Sequence, residues 1–309
     1  MPSLFLQLAQ KVIGEENRPM SANEIWEFAQ AKGYDKDVLT KGKTPWATLG
    51  AMLYVDIRDN HQSLFEELQG TRPKKYILKT LVANMGPKVF ETQAQSLPQK
   101  KSEYREKDLH PFLVYYGFYF LKAYLKTIRH TASKKTEFGD WVHPDIVGCY
   151  FPYSDWENEV VDMSTAMGNT AIKLFSFELK QELSISSLRE AFFQAVSNSS
   201  WSNEGYLAAA EIDNDEDFRK ELERLSTSFG IGVIRIDIED PDSSEMILPS
   251  RSKEVVDWET VNKLAGINPD FRDFLKRVKT DISSREVRKE MYDKVLEKEE
   301  LIISLGKKK

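Results

Sequence analysis

The sequence predicts a two-domain chain of α+β and α/β character: a small helical domain closed by a hairpin, then a larger α/β domain on a mixed central sheet. Three observations carry this. Apolar residues recur at helical spacing, with capping residues beside them, through the first 60 positions. A stretch at 81–104 holds Gly, Pro and polar residues without periodicity and reads as a linker. Beyond it, short apolar runs such as IVGCYF, KLFSFELKQ and GYLAAA alternate with helical segments, the pattern of a sheet with connecting helices. The expected boundaries are therefore 1–80, 81–104 and 105–309.

Leu4, Leu6, Leu8, Val12 and Ile13 predict a first helix. The second follows in RPMSANEIWEFAQAKGY. Ser21 is its N-cap, Glu24 completes a capping box, Ile25, Trp26, Phe28 and Ala29 form its apolar face, and Gly33 ends it. In KGKTPWATLGAMLYVDIRDN, Thr44 caps a third helix, Pro45 occupies its first turn, and Leu49, Met52, Leu53 and Ile57 recur at helical spacing. Ser63–Phe65 and Lys75–Leu78 flank the turn-rich QGTRP and predict a hairpin. Three helices followed by a hairpin make a winged helix-turn-helix.

The runs RPMSANEIW, TPWATLGAMLYVDIRDN and KKYIL also resemble the HARE-type helix-turn-helix domain. That domain occurs in chromatin factors, in an RNA polymerase subunit and fused to restriction nucleases. The resemblance implies binding of double-stranded DNA and sensing of base modification; a winged-helix protein-interaction module is the alternative. Residues 39–80 hold seven basic side chains against four acids, so the region is locally basic on an acidic chain. Lys41 and Lys43 flank the N-terminus that Thr44 caps, a position that attracts phosphate. Arg72, Lys74 and Lys75 on the wing add to the backbone grip, while Trp46 and Thr48 early in the third helix would approach bases.

In the second domain, Leu109, Phe112, Leu113, Tyr116, Phe120, Tyr124 and Ile128 repeat at three and four and predict one long helix with an aromatic core face. Lys134 and Lys135 in the following turn are positioned either to touch phosphate or simply to be solvated. Strands are predicted at IVGCYF, at Lys173–Gln181, at Gly205–Ala210 and at FGIGVIRIDIED, with a helix after Ser187–Glu190, read as a capping box. Short helices follow Asp257, one of them opened by Ser283 and Glu286 as a third capping box, and the terminal GKKK reads as a solvated tail.

Glu178 and Lys180 stand two apart on a predicted strand, so both project from one face. Asp145, preceded by Pro144, supplies a second acid, with 32 residues between it and Glu178. Two carboxylates and a backbone carbonyl suit a hard divalent cation, and an adjacent lysine can orient or activate water. The same Glu-x-Lys pair also reads as an ordinary ion pair on an exposed strand. Asp155, Glu157, Glu159 and Asp162 rival Asp145, but no apolar strand pattern sets them opposite Glu178.

Pro144-Asp145, Glu178-Leu179-Lys180 and the helix that follows resemble the PD-(D/E)xK, restriction-endonuclease-like superfamily over residues 105–240. The resemblance implies that Asp145, Glu178 and the Leu179 carbonyl hold Mg²⁺, with Mn²⁺ as a substitute. It implies further that Lys180 acts on water and that Gln194, on the following helix, supports the site. Some relatives add an acid from the first helix. No acid lies within 109–128, so Glu106 and Asp108, just before it, are the candidates for that ligand.

Composition agrees with an intracellular enzyme: 41% apolar and 30% charged residues, with a net charge of −6. One cysteine, Cys149, excludes an intrachain disulfide framework and a cysteine-rich zinc site. The start lacks a signal-peptide pattern, no apolar run is long enough to span a membrane, and the cytoplasm is the expected compartment. Walker, GxGxxG, HExxH and GxSxG motifs are absent, and His61, His110, His130 and His143 show no ligand spacing. The expectation is a Mg²⁺-dependent deoxyribonuclease of a restriction system, working as a homodimer because duplex cutting needs two sites. A DNA-binding regulator or adaptor with an inactive nuclease-like domain, and a repair nuclease, are the alternatives.

Overall fold

A computed structural model describes residues 3–38, 45–60, 62–68, 71, 73–82, 104–129, 143–169 and 171–306. The chain divides into two compact units, Met1–Lys101 and Ser102–Lys309.

In the first unit, helix α1 (Leu4–Glu16) is capped by Ser3, whose Oγ accepts from the Leu6 N–H at 3.3 Å. Strand β1 (Met20–Ser21) leads into α2 (Ala22–Lys32). Here the expected capping box is present: Ser21 Oγ accepts from Glu24 N, and Ser21 N donates back to the Glu24 carboxylate at 2.7 Å. Gly33, at φ 76°, ends the helix in the left-handed region that favours glycine. Helix α3 (Pro45–Asp59), strand β2 (Phe65–Leu68), strand β3 (Lys75–Leu78) and a short helix α4 (Lys79–Val82) follow. The three strands form an antiparallel sheet in the order β1-β3-β2. Its core draws Leu8, Val12 and Ile13 from α1, Ile25 and Trp26 from α2, Leu49 and Leu53 from α3, and Phe65 and Tyr76 from the hairpin. This is a winged helix-turn-helix. The expected linker falls almost wholly on residues 83–103, outside the described residues.

The second unit holds a six-stranded mixed sheet. Its elements in chain order are α5 (His110–Tyr119), β4 (Ala123–Thr127), β5 (Ile146–Tyr150), α6 (Asn158–Ala166), β6 (Lys173–Leu183), α7 (Leu188–Asn198), β7 (Glu204–Ile212), α8 (Glu216–Phe229), β8 (Gly232–Arg235), β9 (Glu245–Leu248), α9 (Trp258–Ile267), α10 (Pro269–Ser284) and α11 (Lys298–Gly306). The spatial order is β4-β5-β6-β7-β8-β9. β4, β5 and β6 pair antiparallel, β6, β7 and β8 pair parallel through helical crossovers, and β9 returns antiparallel. One face, with Phe177, Leu179 and Ala208, packs on α5 through Phe112 and Tyr116. The other, with Leu207, Ala209 and Val233, packs on α7 and α8 through Phe192 and Phe218. A third cluster joins Val147 and Cys149 to Trp201, Phe271 and Phe274 under α10.

Three expectations are corrected. The single helix expected over 109–128 is α5 followed by β4. Lys122 adopts φ 55° and turns the chain. Ala123 and Leu125 then face one core cluster and Tyr124 another, the period of a strand. Gly117 permits this return, because a Cβ there would stand 2.4 Å from Leu125 Cδ1. The Ser187–Glu190 capping box does not form. Ser187 makes no cap bond to the helix, and its Oγ accepts from the Ser184 N–H instead. Ser283 likewise opens no helix. It lies in the last turn of α10, bonded to the Lys279 carbonyl, and Arg285 closes that helix at φ 54°.

Candidate functional site

The antiparallel register of β5 on β6 pairs Ile146 with Phe177, and continuing it by one residue sets Asp145 across from Glu178. Asp145 is fixed at both ends. Its carbonyl accepts from Ile128 N, and its Oδ2 accepts from the Leu179 N–H at 2.8 Å. Two acids far apart in sequence thus meet because neighbouring strands carry them, and Leu179 lies within the cluster through its own backbone. Glu178 is 1% exposed and Asp145 4%. Lys180, two residues along β6, donates from Nζ to Glu178 Oε1 at 2.7 Å. The other carboxylate oxygen, Oε2, accepts from Nδ2 of Asn198, the last residue of α7, at 2.9 Å. Glu106, on a short 3₁₀ turn ahead of α5, stands 4.0 Å from Lys180 Nζ.

The cluster therefore gathers three carboxylates around one ammonium group. Burial first, and then the negative charge of Asp145, push the Glu178 carboxyl up to about 7, against the pull of Lys180 and Asn198. Burial alone would lower the Lys180 ammonium. Glu178, Glu106 and Asp145 together outweigh it and hold its pKa above the ordinary lysine value. The negative charge of the neighbouring carboxylates contributes to both shifts, adding to burial at Glu178 and opposing it at Lys180. Among the described residues no group of three or more His, Cys, Asp or Glu side chains is arranged to hold a metal ion. Mg²⁺ makes a smaller demand: it keeps several waters and is commonly bound by one or two carboxylates with substrate phosphate. Two buried carboxylates whose mutual repulsion a cation would relieve fit that requirement.

The other expected residues divide. Gln194 lies one turn before Asn198 on α7, half-buried, and its side chain makes no hydrogen bond among the described residues. Asn198, which carries no sequence motif, is the α7 residue that reaches Glu178. Asp108 accepts from Arg105 N at 3.0 Å. The rival acids lie past the far end of β5, after Tyr150. Asp155 pairs with Lys122, Asp162 pairs with Arg285, Glu157 stands at the N-cap position of α6 without a side-chain cap bond, and Glu159 sits in its first turn. A signal for Asn198 did exist, since it ends the helix that returns antiparallel to β6. Choosing it over Gln194 needed the register of α7 on the sheet.

In the first unit, Thr48 is exposed on α3, whereas Trp46 packs against the domain core. The exposed stripe of α3 continues through Ala51 to Tyr54, which is 43% exposed and has Lys74 Nζ over its ring at 5.2 Å. Lys74 also stands 3.5 Å from Glu67, and Lys75 stands 4.0 Å from Glu24. Lys41, Lys43, Thr44 and Arg72 lie outside the described residues, as do Lys134 and Lys135.

Residues 4–76 match the HARE-HTH family, a helix-turn-helix domain whose description names ASXL and restriction endonucleases. A HARE-HTH domain thus occupies the first unit, and a helix-turn-helix family suggests DNA binding. No curated protein and no solved structure matches the chain. Among the described residues no helix is long and apolar enough to cross a membrane.

Proposed function

We propose that the chain is a DNA endonuclease whose first unit binds duplex DNA and whose second hydrolyses its phosphodiester bonds. The observation that carries this reading is the buried cluster of Asp145, Glu178 and Lys180, brought to one place by the β5–β6 register. Asp145, Glu178 and the Leu179 carbonyl would hold the Mg²⁺ ion. When bound, such an ion polarises a phosphoryl oxygen and makes a coordinated water more acidic. In the cation-free site the surrounding acids hold the Lys180 pKa above the ordinary lysine value. Its part is therefore to donate hydrogen bonds and positive charge. It would orient the attacking water and stabilise charge growing on the phosphate. Asn198 and Lys180 hold both oxygens of Glu178 as acceptors.

The family description of the first unit includes restriction endonucleases, which supports a restriction role. Sensing of base modification and a homodimer that cuts both strands belong to the same proposal. The test is incubation of the full chain with unmodified, methylated and hydroxymethylated duplexes, with Mg²⁺ or with a chelator. Cleavage that requires Mg²⁺ is expected. Metal-independent binding with no cutting of any duplex would replace the nuclease by a DNA-binding regulator.

A further inference from the structure

Asn198 is 3% exposed and closely held. Its backbone carbonyl accepts from Ser176 Oγ at 2.9 Å and from Trp201 Nε1 at 2.9 Å. The first bond ties the end of α7 to β6 on the strand face that carries Glu178, and the second holds it to the segment that leads into β7. The side chain then has one polar neighbour for its two polar atoms. Nδ2 donates to Glu178 Oε2, while the buried Oδ1 accepts no hydrogen bond among the described residues. Turning the amide over would set Oδ1 against a carboxylate oxygen, two acceptors face to face, so the orientation follows from its neighbour. A buried amide oxygen without a donor is costly, and native interiors commonly satisfy one with ordered water.

We propose that Asn198 is a positioning residue of the Asp145–Glu178–Lys180 site, with its nitrogen clamping Glu178 and its oxygen binding a water molecule inside the site. The proposal rests on the nuclease reading for its purpose and on the two amide atoms for its geometry. The residue type suits both tasks. One oxygen of Glu178 already takes a charged donor, Lys180. A second cationic donor would neutralise the carboxylate and oppose cation binding. An amide holds the other oxygen without adding charge, and it offers a donor and an acceptor on one planar group. Groups that orient a metal-binding side chain typically change metal affinity or activity by about 10–100-fold when removed.

The test compares the full-length wild type with Asn198→Ala and Asn198→Asp, the second of which keeps the packing volume. Mg²⁺ binding is measured by titration calorimetry, and DNA cleavage is split into kcat and KM. Asn198→Ala should lose roughly 10–100-fold in Mg²⁺ affinity and in kcat with KM for DNA unchanged, and Asn198→Asp, which sets a further carboxylate against Glu178, should lose a similar factor in kcat. A merely structural role would lower the melting temperature and leave Mg²⁺ affinity where it was. Crystal structures of the cation-free wild type and of Asn198→Asp give a readout independent of activity. They should show a water on Asn198 Oδ1 in the wild type and a displaced Glu178 carboxylate in the variant. A wild type that neither binds Mg²⁺ nor cuts DNA sinks the nuclease reading, and the crystal structures still decide the role of Asn198. Oδ1 bonded to a protein group, or Glu178 unmoved in Asn198→Asp, overturns the proposal, as does wild-type Mg²⁺ affinity in Asn198→Ala.

Discussion

Replacing Glu178 by Gln should change how stability depends on pH, and the size of the change follows from the site. The Glu178 carboxyl titrates at about 7 in the folded protein, against an ordinary value of 4.5. An acid whose folded pKa is raised binds its proton more tightly in the native state. Its stabilising contribution is therefore fully present below the unfolded pKa and is lost as pH rises through the folded one. At about 1.4 kcal/mol per pKa unit, the cation-free wild type should lose about 3 kcal/mol between pH 4.5 and pH 8 through this group. Glu178→Gln keeps the shape and cannot ionise, so it should lose none of that. In a unit of this size about 1 kcal/mol moves the melting temperature by roughly 2–4 °C, so the variant should gain roughly 6–12 °C over the wild type between the two pH limits. The assay is thermal unfolding followed by circular dichroism in chelator across that range. Mg²⁺ should then stabilise the wild type more at pH 8 than at pH 6, since a cation favours the ionised carboxylate. Parallel pH curves for the two proteins would refute the account of a strained, buried negative charge.

Three further outcomes are expected. Lys180→Ala should lose several powers of ten in cleavage rate and keep duplex affinity in a gel-shift titration; wild-type cutting by the variant would remove Lys180 from the site. Charge reversal at Lys74 and Lys75 should weaken DNA binding across all sequences and flatten its salt dependence, by about one unit of log–log slope for each phosphate left without its cation, measured at several salt concentrations. Gly117→Ala forces a Cβ against Leu125 Cδ1 and should cost about 1–3 kcal/mol in urea unfolding, with an unchanged midpoint counting against the α5–β4 packing.

The first unit was legible because its signals are local. Ser21 with Glu24, Gly33 after Lys32 and the antiparallel β2–β3 pair lie within a few residues of what they control. The helix–strand boundary near Lys122 was not legible. Tyr116, Phe120 and Tyr124 satisfy a helical period, whereas the pairing of Ala123–Thr127 with β5 and the packing of Leu125 against Gly117 make the strand. The two-residue spacing of Glu178 and Lys180 could be read directly. Their meeting with Asp145 depended on the register of two strands, which a Pro-Asp pair suggests and hydrogen bonds fix. Asn198 and the exposed face of Tyr54 depend on how a helix is rotated against its neighbours, and apolar periodicity defines that only to within a residue or two.

The distribution of charge between the units bears on how the proposed activity would be organised. Residues 1–101 carry 14 basic and 11 acidic side chains, whereas residues 102–309 carry 29 and 38. The second unit is thus strongly acidic, and its buried cluster adds negative charge where a phosphate would have to come. Long-range attraction cannot gather a polyanion there, because like-charged surfaces repel over about a Debye length, ~8 Å at physiological ionic strength. Cutting by such a unit requires that affinity come from elsewhere and that a divalent cation offset the local repulsion. In the proposed reading the winged helix would supply the first, with Lys74 and Lys75 on its wing and the exposed side chains of α3, and Mg²⁺ at Asp145 and Glu178 would supply the second. Separated from its neighbour, the acidic unit should therefore cut poorly at any salt concentration. Raising salt should slow the intact chain, through weaker binding by the winged helix, far more than it slows the separated unit.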